Sequence, residues 1–483
     1  MPDGAIVVPS RDGHAEEAAL SALRQAFNHA TAFRRSLGDR PHQPRLDYRQ
    51  LRDALMRPLP ERGAEGAEVI DDLAASVEPG LMAMPAAGFF GWVLGASHPV
   101  GVAADWLASA WGQNSAYHTP TPGTAAIEEV AEAWLLDLLD LPREASIGFC
   151  TGATVSSFVC LAAARGQQLR AYGWDPDGDG LFGAPPVHVF IGAEAHQTVF
   201  AGLQYLGFGH RRVVTIPSDA QGRMRPDALA VEMAARSGPM IVIAQAGQIN
   251  TGAFDPFPAI CRIAAAHWAW VHVDGAFGVW ARACPDTRAL TEGLELCDSW
   301  STDAHKWLQT PFDTGFAIVR HREAHRRAMT IQASYLPEIA GGDRVPSALV
   351  PELSRRARGL PVWAMLRHLG RDGVAEMVGR HCRLARHMAA RLASEPGVRV
   401  LNDVVLNQVI VQFGDGDRER RNQATAAVIA AVQASDACFV AGSDWGADWV
   451  MRISVISHMT DLAAADRAVD AMIAGWRRLR GAS

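Results

Sequence analysis

An α/β fold with a mostly parallel central sheet, followed by a smaller α+β region, is what this sequence predicts. Two observations carry that expectation. Between residues 146 and 319, short runs that are apolar almost throughout alternate with helical stretches. Strands of that kind are buried on both faces, as parallel strands are when crossover helices cover them. From about residue 374 the order changes to one long helix and then a few strands and helices, which reads as a second lobe. The expected division is an N-terminal helical arm over 1–88, a large domain over 89–365 and a small domain over 366–483.

Composition narrows the class. Apolar residues make up 49% of the 483 and charged residues 20%, which suits a globular enzyme rather than a disordered chain. The net charge is -7 with no basic patch, which argues against a nucleic-acid partner. No apolar run reaches the length of a membrane span, and no secretory signal is expected at the start. The 7 cysteines are scattered without Cys-x-x-Cys spacing, as buried thiols of a reducing cytoplasm would be, so no metal site is expected.

Taken in order, the arm holds helices over 18–36, 46–56 and 68–77, the last two stopped by Pro58 and Pro79. Their apolar stripes pack either on a partner subunit or on their own domain. The loop over 84–92 carries Phe89, Phe90 and Trp92, which serve either as core or as a pocket wall. Helices follow over 100–111 and 121–139, the second with Thr121 as a cap and Glu128 and Glu129 early enough to favour a helix dipole.

A strand over 146–150 runs into Thr151, Gly152, Ala153 and Thr154, and a helix over 158–165 follows. A turn of small residues at that junction lets backbone N–H groups and hydroxyls cradle a phosphate. The strand over 187–191 leads to His196, placed to stack on a ring or move protons. Strands over 212–216 and 240–245 precede a helix over 257–268. The strand over 270–273 then ends at Asp274, a strand region over 294–298 comes before Lys306, and a strand over 314–319 closes the large domain. The polar connection over 333–351, broken by Pro337, Pro346 and Pro351, has the length of a lid. Arg355, Arg356 and Arg358 beyond it suit an interface or the capping of carbonyls better than a substrate. The small lobe has a helix over 374–392, strands over 398–401, 408–413 and 449–456, and helices over 421–434 and 462–479.

The candidate chemistry sits at strand exits. A carboxylate leaving a buried strand (Asp274) and a lysine between His305 and Trp307 (Lys306) match the needs of pyridoxal phosphate. Its aldehyde requires a lysine amine for a Schiff base, and its pyridine nitrogen requires an acid to keep it protonated. Ligands of parallel sheets gather at the carboxyl ends of the strands, where Gly152, Ala153, Thr154, His196, Asp274 and Lys306 all fall.

The chain resembles the group II pyridoxal-phosphate-dependent decarboxylases, which include aromatic-amino-acid, histidine and glutamate decarboxylases. The likeness runs from about Phe89 to Arg452. It is most specific at His272, Val273, Asp274, Gly275 and Ala276, and at Asp303, Ala304, His305, Lys306 and Trp307. It implies a type I, aspartate-aminotransferase-like fold with a seven-stranded central sheet and a homodimer with the active site at the subunit interface. It also implies α-decarboxylation of an L-amino acid. Lys306 then carries the cofactor, Asp274 faces its ring nitrogen, and His196 and Ala276 lie on opposite faces of the ring. Gly152, Ala153, Thr154 and His305 contact the phosphate. Phe90 and Trp92 fall where the family has pocket aromatics, partly from the neighbouring subunit, and suit an apolar or aromatic substrate side chain.

Two departures bear on the outcome. The aromatic-amino-acid enzymes carry a lid tyrosine that returns a proton after carbon dioxide leaves, and no tyrosine stands between Leu336 and Arg355 here; Tyr335 precedes that loop. A Gly-Thr-Thr segment of the family is Gly247, Gln248 and Ile249 in this chain. Oxidative deamination to an aldehyde, transamination and carbon–carbon cleavage therefore stand as alternatives. A binding protein that has lost catalysis is the rival of another class, and intact Lys306, Asp274 and His196 argue against it.

Overall fold

A computed structural model describes residues 13–330 and 343–481. Tyr335 and the first part of the expected lid lie outside them. The chain divides after Phe89 into two compact units.

The first unit is helical: α1 (Gly13–Ser36), α2 (Tyr48–Leu55) and α3 (Gly66–Val77). Asp47 and Gln50 close a reciprocal capping box at the start of α2. Gln25 and His29 of α1 meet Asp71 of α3 at 2.5 and 2.6 Å. Neither α2 nor α3 buries a single residue fully, and Leu20, Leu23, Val69 and Leu73 are exposed.

The second unit begins with α4 (Pro99–Trp111) and α5 (Pro122–Leu138). Its large sheet takes β1 (Ser146–Cys150), β2 (His188–Gly192), β3 (Val213–Ile216), β4 (Met240–Gln245), β5 (Trp270–Asp274), β6 (Ser299–Asp303) and β7 (Gly315–Val319) in the order β1-β7-β6-β5-β4-β2-β3. Only β7 runs against its neighbours; the other pairings are parallel. Helices α6 (Ala153–Ala171), α7 (Gln197–Tyr205), α8 (Pro226–Ala234), α9 (Phe257–Ala265) and α10 (Arg322–Met329) connect and cover these strands. Separate buried clusters containing Phe190 and Val242, and Ile191 and Ile243, show that neighbouring residues of one strand enter opposite layers. This is the predicted mostly parallel sheet.

The small lobe follows. Helix α11 (Gly359–Ala393) is two helices joined at Gly370, where φ is 62°. Strands β8 (Val398–Val400), β9 (Gln408–Phe413), β10 (Ala441–Trp445) and β11 (Asp448–Ser454) form an antiparallel sheet in the order β10-β11-β9-β8. Its apolar cluster joins residues of α11, α12 (Arg418–Ser435) and α13 (Leu462–Gly481).

Two sequence expectations are corrected. The run over 294–298 is not a strand: Leu294–Leu296 is a 3-10 turn, and the strand is the polar stretch Ser299–Asp303. Its hydroxyls find partners inside the core: Ser299 Oγ accepts from Trp270 Nε1 at 2.9 Å, and Ser157 and Ser301 bond at 3.0 Å. Strand β10 was not foreseen, because Ala441–Trp445 is small and polar and pairs on one side only.

The basic cluster behaves largely as expected. Arg355 is buried and donates to the carbonyls of Ser115 and Phe149 at 2.7 and 3.1 Å. It also pairs with Glu128 at 2.8 Å, so Glu128 does more than complement a helix dipole. Glu128→Ala leaves that guanidinium without its buried carboxylate, and such losses cost about 3–5 kcal/mol. Denaturant unfolding should register a drop of this order; a change below about 1 kcal/mol would remove the pair from the core's energetics.

Three histidines are buried in neutral form. Desolvation pushes His272 and His381 down to about 3 and His325 to about 4. The unfolded chain binds protons at these positions below about pH 6.5 while the folded chain refuses them. Stability is therefore lost as pH falls from about 6.5 toward 4. Buried Asp255, pushed up to about 7, opposes this across the same window and offsets part of the loss. The melting temperature should fall steadily with acid across that window; a flat or rising profile contradicts the assignment.

Candidate active site

Parallel strands bring their carboxyl ends to one edge of the sheet, and the turns that leave them build a cavity of about 200 Å³. Gly152, Ala153, Thr154, His196, Asp274, Ala276, His305 and Lys306 all line it. Eight residues expected from the sequence thus share one site.

Each is held for a local reason. Gly152 caps α6, and a Cβ there would meet His305 Cε1 at 3.3 Å, a tight contact that glycine avoids. The next residues, Ala153 and Thr154, begin the helix at the cavity rim, where the Ala153 N–H donates to Asp303 Oδ1 at 2.6 Å. His196 caps α7: its Nδ1 accepts the Thr198 N–H at 3.3 Å and lies 2.7 Å from Thr198 Oγ1, which fixes the ring. Burial lowers the pKa of His196, partly offset by Asp274. Asp274 ends β5, and desolvation raises the pKa of its carboxyl against the pull of His196 and Lys306. The hydrogen bond it accepts is a long one, 3.3 Å from the Ala276 N–H.

Lys306 follows β6 by three residues. Its Nζ lies 3.1 Å from Asp303 Oδ2 and 5.9 Å from the centre of the Phe277 ring. The loop that carries it is pinned from several directions. The Trp307 indole donates to His381 Nδ1 at 3.0 Å. The buried Gln309 donates to the carbonyls of Lys306 and Ile456 at 3.0 and 2.7 Å. Gly95 donates to the His305 carbonyl at 3.1 Å, so near that a Cβ on it would lie 2.1 Å from that oxygen. His305 Nδ1 accepts the Thr314 N–H at 3.2 Å, leaving Nε2 on the side of Asp303.

The aromatic pair is not brought to this cavity. Phe90 is fully buried in the apolar cluster of the small lobe, tied to Phe439 and Ser454 through its backbone. Its ring therefore serves as core and cannot wall the cavity of its own chain. Trp92 is 41% exposed, with its ring 5.5 Å from that of Phe439. Arg355 and Arg356 are committed elsewhere, Arg356 to Asp105 at 2.8 Å.

Sequence reasoning missed Asp303, Thr198, Gln245 and Phe277 as lining residues. Asp303 was quoted in the lysine motif, and its place three residues before Lys306 was the available signal. Arg452 was missed as well. It is buried on β11, donates to Asn250 Oδ1 at 3.3 Å, and has no carboxylate partner among the described residues. Desolvation brings its pKa down to about 10.

These residues fit pyridoxal phosphate. A buried acid with one long hydrogen bond faces the cavity, and a cationic ring nitrogen would satisfy it. Small residues leave room for a planar ring, a helix start offers amides to a phosphate, and a lysine amine lines the same space.

Known proteins agree. Residues 49–413 match the pyridoxal-dependent decarboxylase conserved domain. Tryptophan decarboxylase 1 of Oryza sativa is 29% identical over 374 residues, 72% of this chain and 71% of that protein. The 4-hydroxyphenylacetaldehyde synthase of Rhodiola rosea is 23% identical over 93% of this chain and 92% of its own. Among solved structures, Oryza sativa TDC with PLP and tryptamine superposes with a TM-score of 0.89, at 24% identity, over 96% of this chain and 98% of that one. The match over most of its length makes this chain a member of the pyridoxal-dependent decarboxylase family, a carboxy-lyase that works with pyridoxal phosphate.

Proposed function

We propose that the protein decarboxylates an aromatic L-amino acid at Cα, in the cavity built around Lys306. The convergence of Lys306, Asp274 and His196 with the start of α6 carries the reading of the site. The substrate class is supported by relatives named for tryptophan, tyrosine and aromatic amino acids.

Bound pyridoxal phosphate supplies a ring that accepts the electrons of the Cα–carboxylate bond. Lys306 Nζ would hold it covalently. Asp274, buried at the end of β5, would keep a proton on the ring nitrogen, its charge acting strongly where water is scarce. His196, fixed by Thr198, would pack against one face of the ring and keeps Nε2 for moving a proton. Ala276 would leave room at the other face, and Gly152, Ala153, Thr154 and His305 would hold the phosphate. Arg452 is the buried cation available to a substrate carboxylate.

A second reading has a specific motive. The lid has no tyrosine after Leu336, and two relatives are named phenylacetaldehyde synthase and 4-hydroxyphenylacetaldehyde synthase. With dioxygen as the oxidant and water as co-reactant, aldehyde, ammonia and peroxide would then replace the amine. A panel of amino acids with separate assays of carbon dioxide, amine, aldehyde and peroxide decides between them. Amine in step with carbon dioxide supports the first, and aldehyde with peroxide supports the second.

The working unit in this proposal is a homodimer in the cytoplasm. Exposed Leu20, Leu23, Val69 and Leu73 in the arm suit burial on a second copy, and Trp92 suits the wall of a neighbour's cavity. The cysteines are all free, as in a reducing compartment. Among the described residues no helix is long and apolar enough to cross a membrane.

A further inference from the structure

The carboxylate of Asp303 holds two parts of the site at once. Oδ1 accepts the Ala153 N–H at 2.6 Å, at the first turn of α6. Oδ2 lies 3.1 Å from Lys306 Nζ and 3.7 Å from His305 Nε2. The side chain is buried, and a Cβ on Gly152 or Gly315 would lie 3.4 or 2.9 Å from Oδ1. The two glycines thus leave the room that the carboxylate occupies.

A helix N-terminus draws an anion, and here the chain itself supplies one. A phosphate held by the same cradle meets this carboxylate, and two anions in a poorly solvated space repel. An amine paired with a carboxylate is also a poor nucleophile, because it must lose its proton to attack an aldehyde. Resting on the reading of this cavity as the cofactor site, we propose that Asp303 is a built-in competitor of the cofactor's phosphate. It pairs Lys306 with the start of α6, and phosphate loads by displacing it from Ala153. Loading then has an order: the cradle fills, Asp303 lets go, and Lys306 becomes free to react. Asp303 is in this sense a positioning residue, acting through Lys306 and Ala153.

The test uses the cofactor-depleted full chain. Inorganic phosphate is titrated into wild type and Asp303→Asn by calorimetry; the amide keeps an oxygen for Ala153 but removes the charge. Phosphate should bind at least about tenfold more tightly to the variant. In a second arm, pyridoxal, which lacks the phosphate, is trapped on wild-type Lys306 with borohydride and the labelled peptide is quantified. Added phosphate should raise labelling severalfold in wild type and have little effect in Asp303→Asn. Equal phosphate affinity in the two proteins overturns the proposal, as does wild-type labelling that phosphate leaves unchanged or lowers. The wild-type arm stands even if the variant fails to fold. Lys306 is the only lysine of the chain, so pyridoxal phosphate that borohydride does not fix on it would instead overturn the reading of the site itself.

Discussion

Lys306→Ala should have no measurable turnover and should lack the visible absorption band of lysine-bound pyridoxal phosphate. Lys306 is the only lysine among the 483 residues, so no neighbour replaces the covalent tether. The fold should persist, since the lost contacts are one ion pair with Asp303 and a distant approach to Phe277. The Lys306 loop stays anchored through Trp307 and Gln309. The spectrum, a product assay and a melting curve check the three parts separately. Normal turnover in a folded variant would remove Lys306 from the chemistry.

Asp274→Asn should retain the bound cofactor and lose most of its activity. The amide matches the carboxylate in shape and keeps an oxygen for the Ala276 N–H, but carries no charge to hold a proton on the ring nitrogen. Loss of a buried electrostatic contact to a developing charge costs on the order of a thousandfold in kcat. The absorption band should remain while kcat falls. A decrease of less than about tenfold would mean that another group stabilises the ring.

How much of this the sequence discloses depends on the reach of each interaction. Asp274, His196 and Lys306 each leave a strand by a local turn, so strand periodicity alone brings them to one edge. The second role of Asp303 depends on Ala153, 150 residues away, and no local pattern records that contact. Phe90 misled because a ring beside glycine reads alike in core and in pocket; only its burial against the small lobe distinguishes them. Arg355 before α11 and Arg452 within β11 are both arginines in regular surroundings, yet one meets Glu128 and the other meets no acid among the described residues. Strand β10 exists because β11 offers it an edge, which is a tertiary cause.

The anchors of the Lys306 loop also bear on biosynthesis. Gln309 reaches the Ile456 carbonyl, Trp307 reaches His381, and His381 in turn lies 3.0 Å from the Ser457 carbonyl. A nascent chain that has emerged through β7 contains Lys306, Asp274, the α6 turn and the Gly95 and Thr314 anchors, but lacks His381 and Ile456. The full set of anchors for the catalytic loop is therefore complete only when the last tenth or so of the chain has been made.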